Sequence, residues 1–253
     1  MHRVALTLVA LLASVASAAA EDLPTFLAAA TAAARPNAPL RADGELTTNS
    51  PDGTVRDQVA ILRRPNGDVY IELRDSGVRA LLLGDGKTAL LVAGKGKSAA
   101  PFGLDAPLDG SEFTREDLRP FSAAYYRSPI IVDRNPGELT VSLTPSPPSQ
   151  YALQVVTFDD QRKAPLVVKN YKDTVNNLVK VRRSTQHTTV GDGWQPGEIT
   201  MENFPMRSSS TLTLHWQPSE DVPALFDPAA LAKPSTLTWP AAVTPGSAAS
   251  GPN

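Results

Sequence analysis

From about residue 40 onward this chain sets apolar residues at every second position, segment after segment, and that period of two constrains its fold most. Val55, Val59 and Ile61 form one such row; Val69, Ile71 and Leu73 form another. Leu139, Val141 and Leu143 repeat the pattern, as do Leu212 and Leu214. Successive side chains of a strand point to opposite faces, so each row predicts a strand with one oily side and one wet side. Turn signals such as Asn66-Gly67, Asp75-Ser76-Gly77 and Gly84-Asp85-Gly86 separate the early segments, which reads as an antiparallel meander. Val78 to Leu83 and Ala89 to Val92 are continuously apolar, as expected of strands covered on both faces. The pattern predicts about ten or eleven strands in all.

Helical signals are few. Asp22 can cap an alanine-rich helix with Pro24 in its first turn, ended by Arg35-Pro36. Its small side chains suit a surface element or a plug better than a core helix. Thr114 and Asp117 have capping-box spacing for a turn or two within Ser111 to Leu118, before Pro120. A large apolar sheet face must be covered by helices, by another sheet or by curling on itself, and with so little helix curling is the economical solution. The expected fold is therefore mainly β: a strongly curved antiparallel sheet forming an incomplete, half-open barrel, with short helices covering the mouth. Such a barrel can hold an apolar cavity suited to an acyl chain. The competing arrangement fills that space with the protein's own side chains.

The chain divides into three parts. Residues 1–20 have the pattern of a secretory signal peptide: Arg3, an apolar run from Val4 to Val15, then small residues for cleavage. A retained anchor would need roughly 18 or more apolar residues. Residues 21–232 suit one β domain, and residues 233–253 read as a flexible tail rich in Pro, Ala and Ser. The leader predicts export, and no second apolar run approaches membrane-spanning length, so peripheral rather than integral membrane contact is expected, by a monomer.

Reactive chemistry is sparse. The chain has no cysteine, which removes thiol nucleophiles and zinc–cysteine sites. His187 and His215, the two histidines beyond the leader, have no metal-ligand spacing and read as ordinary surface or sheet residues. Gly94-Lys95-Gly96-Lys97-Ser98 resembles a phosphate loop but lacks its spacing. The carboxylate pairs Glu116-Asp117, Asp159-Asp160 and Glu220-Asp221 are adjacent, so their side chains diverge. Lys180 with Arg182 and Arg183 reads as a solvated strand face, with an acidic lipid head group as its functional alternative. A net charge of −2 argues against nucleic acid. No cofactor, metal or enzymatic activity is expected; a hydrolase acting through His187 or His215 is the weakest reading.

Four stretches carry a family resemblance: Gly110 to Leu118 (GSEFTREDL), Gly193 to Asn203 (GWQPGEITMEN), Thr211 to Trp216 (TLTLHW) and Val222 to Leu231 (VPALFDPAAL). Together they resemble the LolA-like outer-membrane lipoprotein-sorting superfamily, specifically its longer branch that often accompanies an RND-type export pump. The resemblance implies a half-open barrel with helices at its mouth, carrying lipids or lipidated proteins between inner and outer membrane, with no catalytic residues. It also implies an arginine near the cavity that helps to hold the lid; Arg56, on an early strand, is one candidate for that role. The implied partners are a lipid or lipidated protein and an RND-type inner-membrane exporter. The alternative is a sensor module of the sigma-factor-regulator type, binding the periplasmic segment of a membrane protein. As a carrier, the chain would bury its ligand against Val55, Val59, Ile61, Val69, Ile71, Leu73, Leu139, Val141, Leu143, Leu212 and Leu214. The alanine-rich helix and Ser111 to Leu118 are the expected lids.

Overall fold

The structure, a computed structural model, describes residues 22–191 and 193–239. The expected signal peptide and residues 240–253 of the expected tail lie outside the described residues. The first half of the chain forms β1 (Leu40–Ser50), β2 (Gly53–Arg63), β3 (Val69–Leu73), β4 (Val78–Leu82), β5 (Ala89–Ala93) and β6 (Ala99–Pro101). Then follow β7 (Tyr126–Asn135), β8 (Glu138–Pro145), β9 (Leu153–Asp159), β10 (Pro165–Tyr171) and β11 (Leu178–Thr185). The last are β12 (Thr188–Val190), β13 (Gly193–Gln195), β14 (Glu198–Asn203) and β15 (Ser208–Pro218). Two α-helices, α1 (Leu23–Ala33) and α2 (Arg115–Leu118), complete the set with two short 3₁₀ turns.

Thirteen strands form one antiparallel sheet in the order β6-β5-β4-β3-β2-β1-β15-β14-β11-β10-β9-β8-β7. The expected count of ten or eleven was too low. The three-residue strands β6, β12 and β13 are too short to display a period, while β7 extends well beyond the short strand expected at Ile130 to Asp133. The sheet does not close: β6 and β7 remain as its two edges. Its centre is the seam between β1 and β15, paired from Leu40–Pro218 to Asn49–Ser209. At that seam Gly44 has no room for a side chain, since an added Cβ would lie 1.7 Å from the Thr213 carbonyl oxygen.

The seam joins two arms. One, β1 to β6, has both faces covered. On its inner face Ala42, Leu46, Val59, Ile61, Val69, Ile71, Leu73 and Val78 pack with Phe102 and Phe113. On its outer face Leu62, Tyr70, Leu81 and Val92 pack beneath Leu225, Phe226 and Leu231 from the chain's last described segment. Every residue of β3 and β4 is consequently buried. Arg64 fixes that covering segment through Asp221 at 2.6 Å and lies over the Phe226 ring at 4.2 Å. Residues 233–239, expected to begin a flexible tail, continue along the same face. The Lys233 carbonyl accepts from Arg79, Ser235 donates to Glu72 at 2.5 Å, and Trp239 lies under Arg74. A composition without charges does not prevent docking where an apolar sheet face and partly buried polar groups await it.

The other arm, β7 to β11, is covered on its inner face by α1. Asp22 caps that helix by accepting from the Thr25 backbone N–H at 2.9 Å, and the helix buries Phe26, Leu27 and Ala30. These pack on Leu139, Val141, Leu143, Val156, Phe158 and Val168. The helix thus supplies part of a core, contrary to the reading drawn from its alanines. Phe26 makes the difference, meeting Phe158 edge to face at 5.4 Å. Among the described residues no helix is long and apolar enough to cross a membrane.

Candidate functional site

Between the inner face of the first arm and the C-terminal end of α1 lies a cavity of roughly 990 Å³, counting the part open to solvent. Its wall is mainly apolar. Ile61, Val69, Ile71, Leu212 and Leu214 come from strands, Ile199 and Trp216 from the β14–β15 hairpin, and Phe113, Leu118 and Phe121 from the segment around α2. Ala33 and Ala34 at the end of α1 border it, so both expected lid elements meet the cavity. The hairpin β12–β13 forms another side through His187, Trp194 and Gln195. His187 stacks on Trp194 with ring centroids 3.7 Å apart, and Arg162 of the β9–β10 turn lies over the same indole at 4.5 Å.

The eleven expected lining residues divide unequally. Ile61, Val69, Ile71, Leu212 and Leu214 line the cavity. Val59 and Leu73 belong to the same apolar cluster but are fully buried within it rather than lining the space. Leu139, Val141 and Leu143 lie under α1 in a separate cluster. Val55 has the same parity as Val59, yet it is 67% exposed. The β1–β2 hairpin overhangs its neighbour, because β3 pairs with β2 only from Val59 to Arg63. Parity assigns a face; it cannot say how far along the strand that face is covered.

Sequence reasoning missed the cavity's polar residues. Arg63 has the parity of Val59 and Ile61, and a cation ending an apolar row was the signal available. It donates from Nη1 to Gln195 Oε1 at 2.8 Å and from Nη2 to the Ala34 carbonyl, and it lies over Trp216 at 5.9 Å. It is partly buried, and the loss of hydration pulls its pKa down to about 10. Arg63 therefore ties the end of α1 to β2 and to the β12–β13 hairpin. Arg56, the candidate raised by the resemblance, is exposed and pairs at 3.6 Å with Glu45.

The basic cluster on β11 faces inward rather than into solvent. Lys180 is buried and donates to the Glu112 carbonyl at 2.6 Å, with Asp117 at 3.7 Å. Arg182 lines the cavity and donates to the Asp117 carbonyl at 3.3 Å; only Arg183 is exposed. Glu112, just before α2, and Glu116 and Asp117 within it carry the matching acceptors. Asp117 closes the expected capping box by accepting from Thr114 N–H at 3.0 Å and Thr114 Oγ1 at 2.7 Å, and it accepts from Tyr151 at 2.9 Å. Glu116 accepts from Ser149 at 2.6 Å and from the Gln150 N–H at 2.9 Å. Among the described residues no group of three or more acidic or histidine side chains could hold a metal.

No protein-family model matches the chain, and no curated protein matches it by sequence. Solved structures do match in fold. A domain from Vibrio parahaemolyticus named for outer membrane lipoprotein sorting is 20% identical, with 77% of this chain and 92% of that one covered and a TM-score of 0.66. A DUF1329 family protein from Desulfovibrio piger is 14% identical, over 81% and 96%, with a TM-score of 0.70. A LolA superfamily protein from Nitrosomonas europaea is 15% identical over the same shares, with a TM-score of 0.64. The chain therefore has the LolA-like fold, with its large curved antiparallel sheet left open.

Proposed function

We propose that this protein is a periplasmic carrier that shields the acyl chain of a lipid or lipidated protein during transfer between the inner and outer membranes. The observation that carries the reading is the cavity itself: mainly apolar, open to solvent on one side, and bordered by two elements able to act as lids. The fold supports it, since a solved relative of the same architecture is named for lipoprotein sorting. Each buried CH₂ contributes about 0.8 kcal/mol, so a ten-carbon stretch supplies about 8 kcal/mol before ordering costs. The chain's own part is passive. Ile61, Val69, Ile71, Leu212 and Leu214 exclude water, while Arg63 holds the end of α1 against the mouth. The leader reading at residues 1–20 supports export, and an RND-type exporter is the partner we propose for loading. Native mass spectrometry of the protein after gentle extraction tests the reading. Bound lipid, or its uptake when offered, is the expected result, and a cavity that never takes lipid removes it.

A second reading has one observation in its favour. Edge strand β7 exposes Ile130, Ile131 and Val132 in a row, which suits pairing with an extended segment of a membrane protein. Capture of such a partner by lipid-free protein would favour this module over the carrier.

A further inference from the structure

Three guanidinium groups line this one apolar cavity, those of Arg63, Arg119 and Arg182. Among the described residues Asp117 is the only carboxylate in the lining, and it is already engaged by Thr114, Tyr151 and Lys180. Arg119 is partly satisfied: Glu116 lies 3.4 Å away and the Tyr125 ring 4.5 Å below, although its buried Nε has no hydrogen-bond partner. Arg63 and Arg182 have no carboxylate within ion-pair distance among the described residues. Their hydrogen-bond acceptors are neutral: Gln195 Oε1 and the Ala34 carbonyl for Arg63, and the Asp117 carbonyl at 3.3 Å for Arg182, which the Asp117 carboxylate attracts from beyond ion-pair distance. Desolvation lowers the pKa of both, to about 10 for Arg63, which leaves that group charged at neutral pH.

A cation facing an apolar space is stable only with a compensating charge or with water. A wholly neutral chain entering here would displace water from Arg63 and Arg182 and return nothing to them. An anionic head would supply the missing charge to the one it meets, and guanidinium matches carboxylate and phosphate oxygens by geometry as well as charge. We propose that the ligand is an anionic lipid, with its phosphate or carboxylate head at Arg182 and its chain along Ile61, Ile71, Leu212 and Leu214. This rests on the carrier reading and narrows its cargo by charge.

Two probes with the same chain separate the two ideas: hexadecyl phosphate and hexadecanol, each offered to delipidated protein below its micelle-forming concentration. Calorimetry should find hexadecyl phosphate bound at least about tenfold more tightly than hexadecanol, the worth of one charge-assisted contact. Arg182→Gln should remove that preference by weakening hexadecyl phosphate, with hexadecanol bound no more weakly than before, and Arg182→Lys should restore part of it. Thermal unfolding of both variants identifies any loss due to misfolding. Equal affinity for the two probes, or an unchanged preference in folded Arg182→Gln, overturns the anionic head and leaves the carrier standing. Binding of neither probe removes the carrier as well. Inorganic phosphate binding as tightly as hexadecyl phosphate would make this an anion site without a lipid, and would also overturn the proposal.

Discussion

The two arms of the sheet are built from similar strands but are finished differently. In the first arm, the 222–237 segment covers the outer face, so β3 and β4 are buried on both sides. In the second arm, α1 covers the inner face only, and β8 and β9 alternate strictly between buried and partly exposed residues. The first arm is a wall closed on its outside, and its inner face lines the cavity through Ile61, Arg63, Val69 and Ile71, beside Ile199, Leu212, Leu214 and Trp216 of β14 and β15. The second meets solvent directly and reaches the cavity through α1, Pro165 and Arg182. A covered wall can present an apolar surface to a ligand without exposing its back, which is why the cavity lies against the first arm.

The sharpest way to break this contrast is to remove the outer cover. A chain stopped after Asp221 loses Leu225, Phe226 and Leu231 and bares Leu62, Tyr70, Leu81 and Val92. Full burial of such side chains contributes about 2 kcal/mol each, so we expect a loss of about 5 kcal/mol or more, with association through the bared patch. Urea unfolding and light scattering would record it. An unchanged urea midpoint would show that the cover is ornamental and the arms equivalent.

The second arm has its counterpart in α1. Phe26→Ala empties the space against Phe158 and should cost about 3–4 kcal/mol, as for other buried aromatic truncations. Since α1 also borders the cavity, the variant should lose lipid binding along with stability, as read by denaturant unfolding and native mass spectrometry. On the bare outer face of this arm the expectation reverses. Thr157 meets solvent and shares a hydroxyl contact of 3.0 Å with Thr140 across the strands. Thr157→Ala should therefore cost only about 0.5 kcal/mol. A cost near that of Phe26→Ala would mean that something covers this face in solution.

The same contrast explains what could be read from the amino acids. Where water meets one face, the period of two survives, and Leu139, Val141 and Leu143 were legible as the buried row of a strand. Where both faces are covered, the period disappears, and Val78 to Leu83 was legible as a doubly buried strand for that reason. The extent of cover was not legible. Val55 follows the parity of Val59 but stands beyond the last residue paired with β3. The cavity's cations were missed because an arginine in a strand reads as solvated until the segment opposite is known. Only the contacts of Glu112 and Asp117, about 70 residues earlier in the chain, turn Lys180 and Arg182 inward. The open sheet was legible in outline, but its edge at β6 was not, since three residues leave no pattern.

The smallest expected effect lies at the mouth, where the β12–β13 hairpin meets the second arm. His187 is partly buried on Trp194, and desolvation lowers its pKa below the usual value near 6.5. Asp159 opposes that shift and Arg162 adds to it. The folded hairpin thus holds the imidazole neutral, while the unfolded chain takes up a proton on acidification through pH 6.5. Stability from this group is present above pH 6.5 and falls away as the pH drops towards the lower folded value. His187→Gln should flatten that part of the stability profile and leave the rest of it unchanged. Tryptophan fluorescence offers an independent reading, because protonation of a stacked imidazole changes the emission of Trp194. An inflection above pH 6.5 would mean that Asp159, not burial, governs the group. The mouth would then be wetter than the wall behind it, and the hairpin would belong with the exposed arm rather than with the cavity.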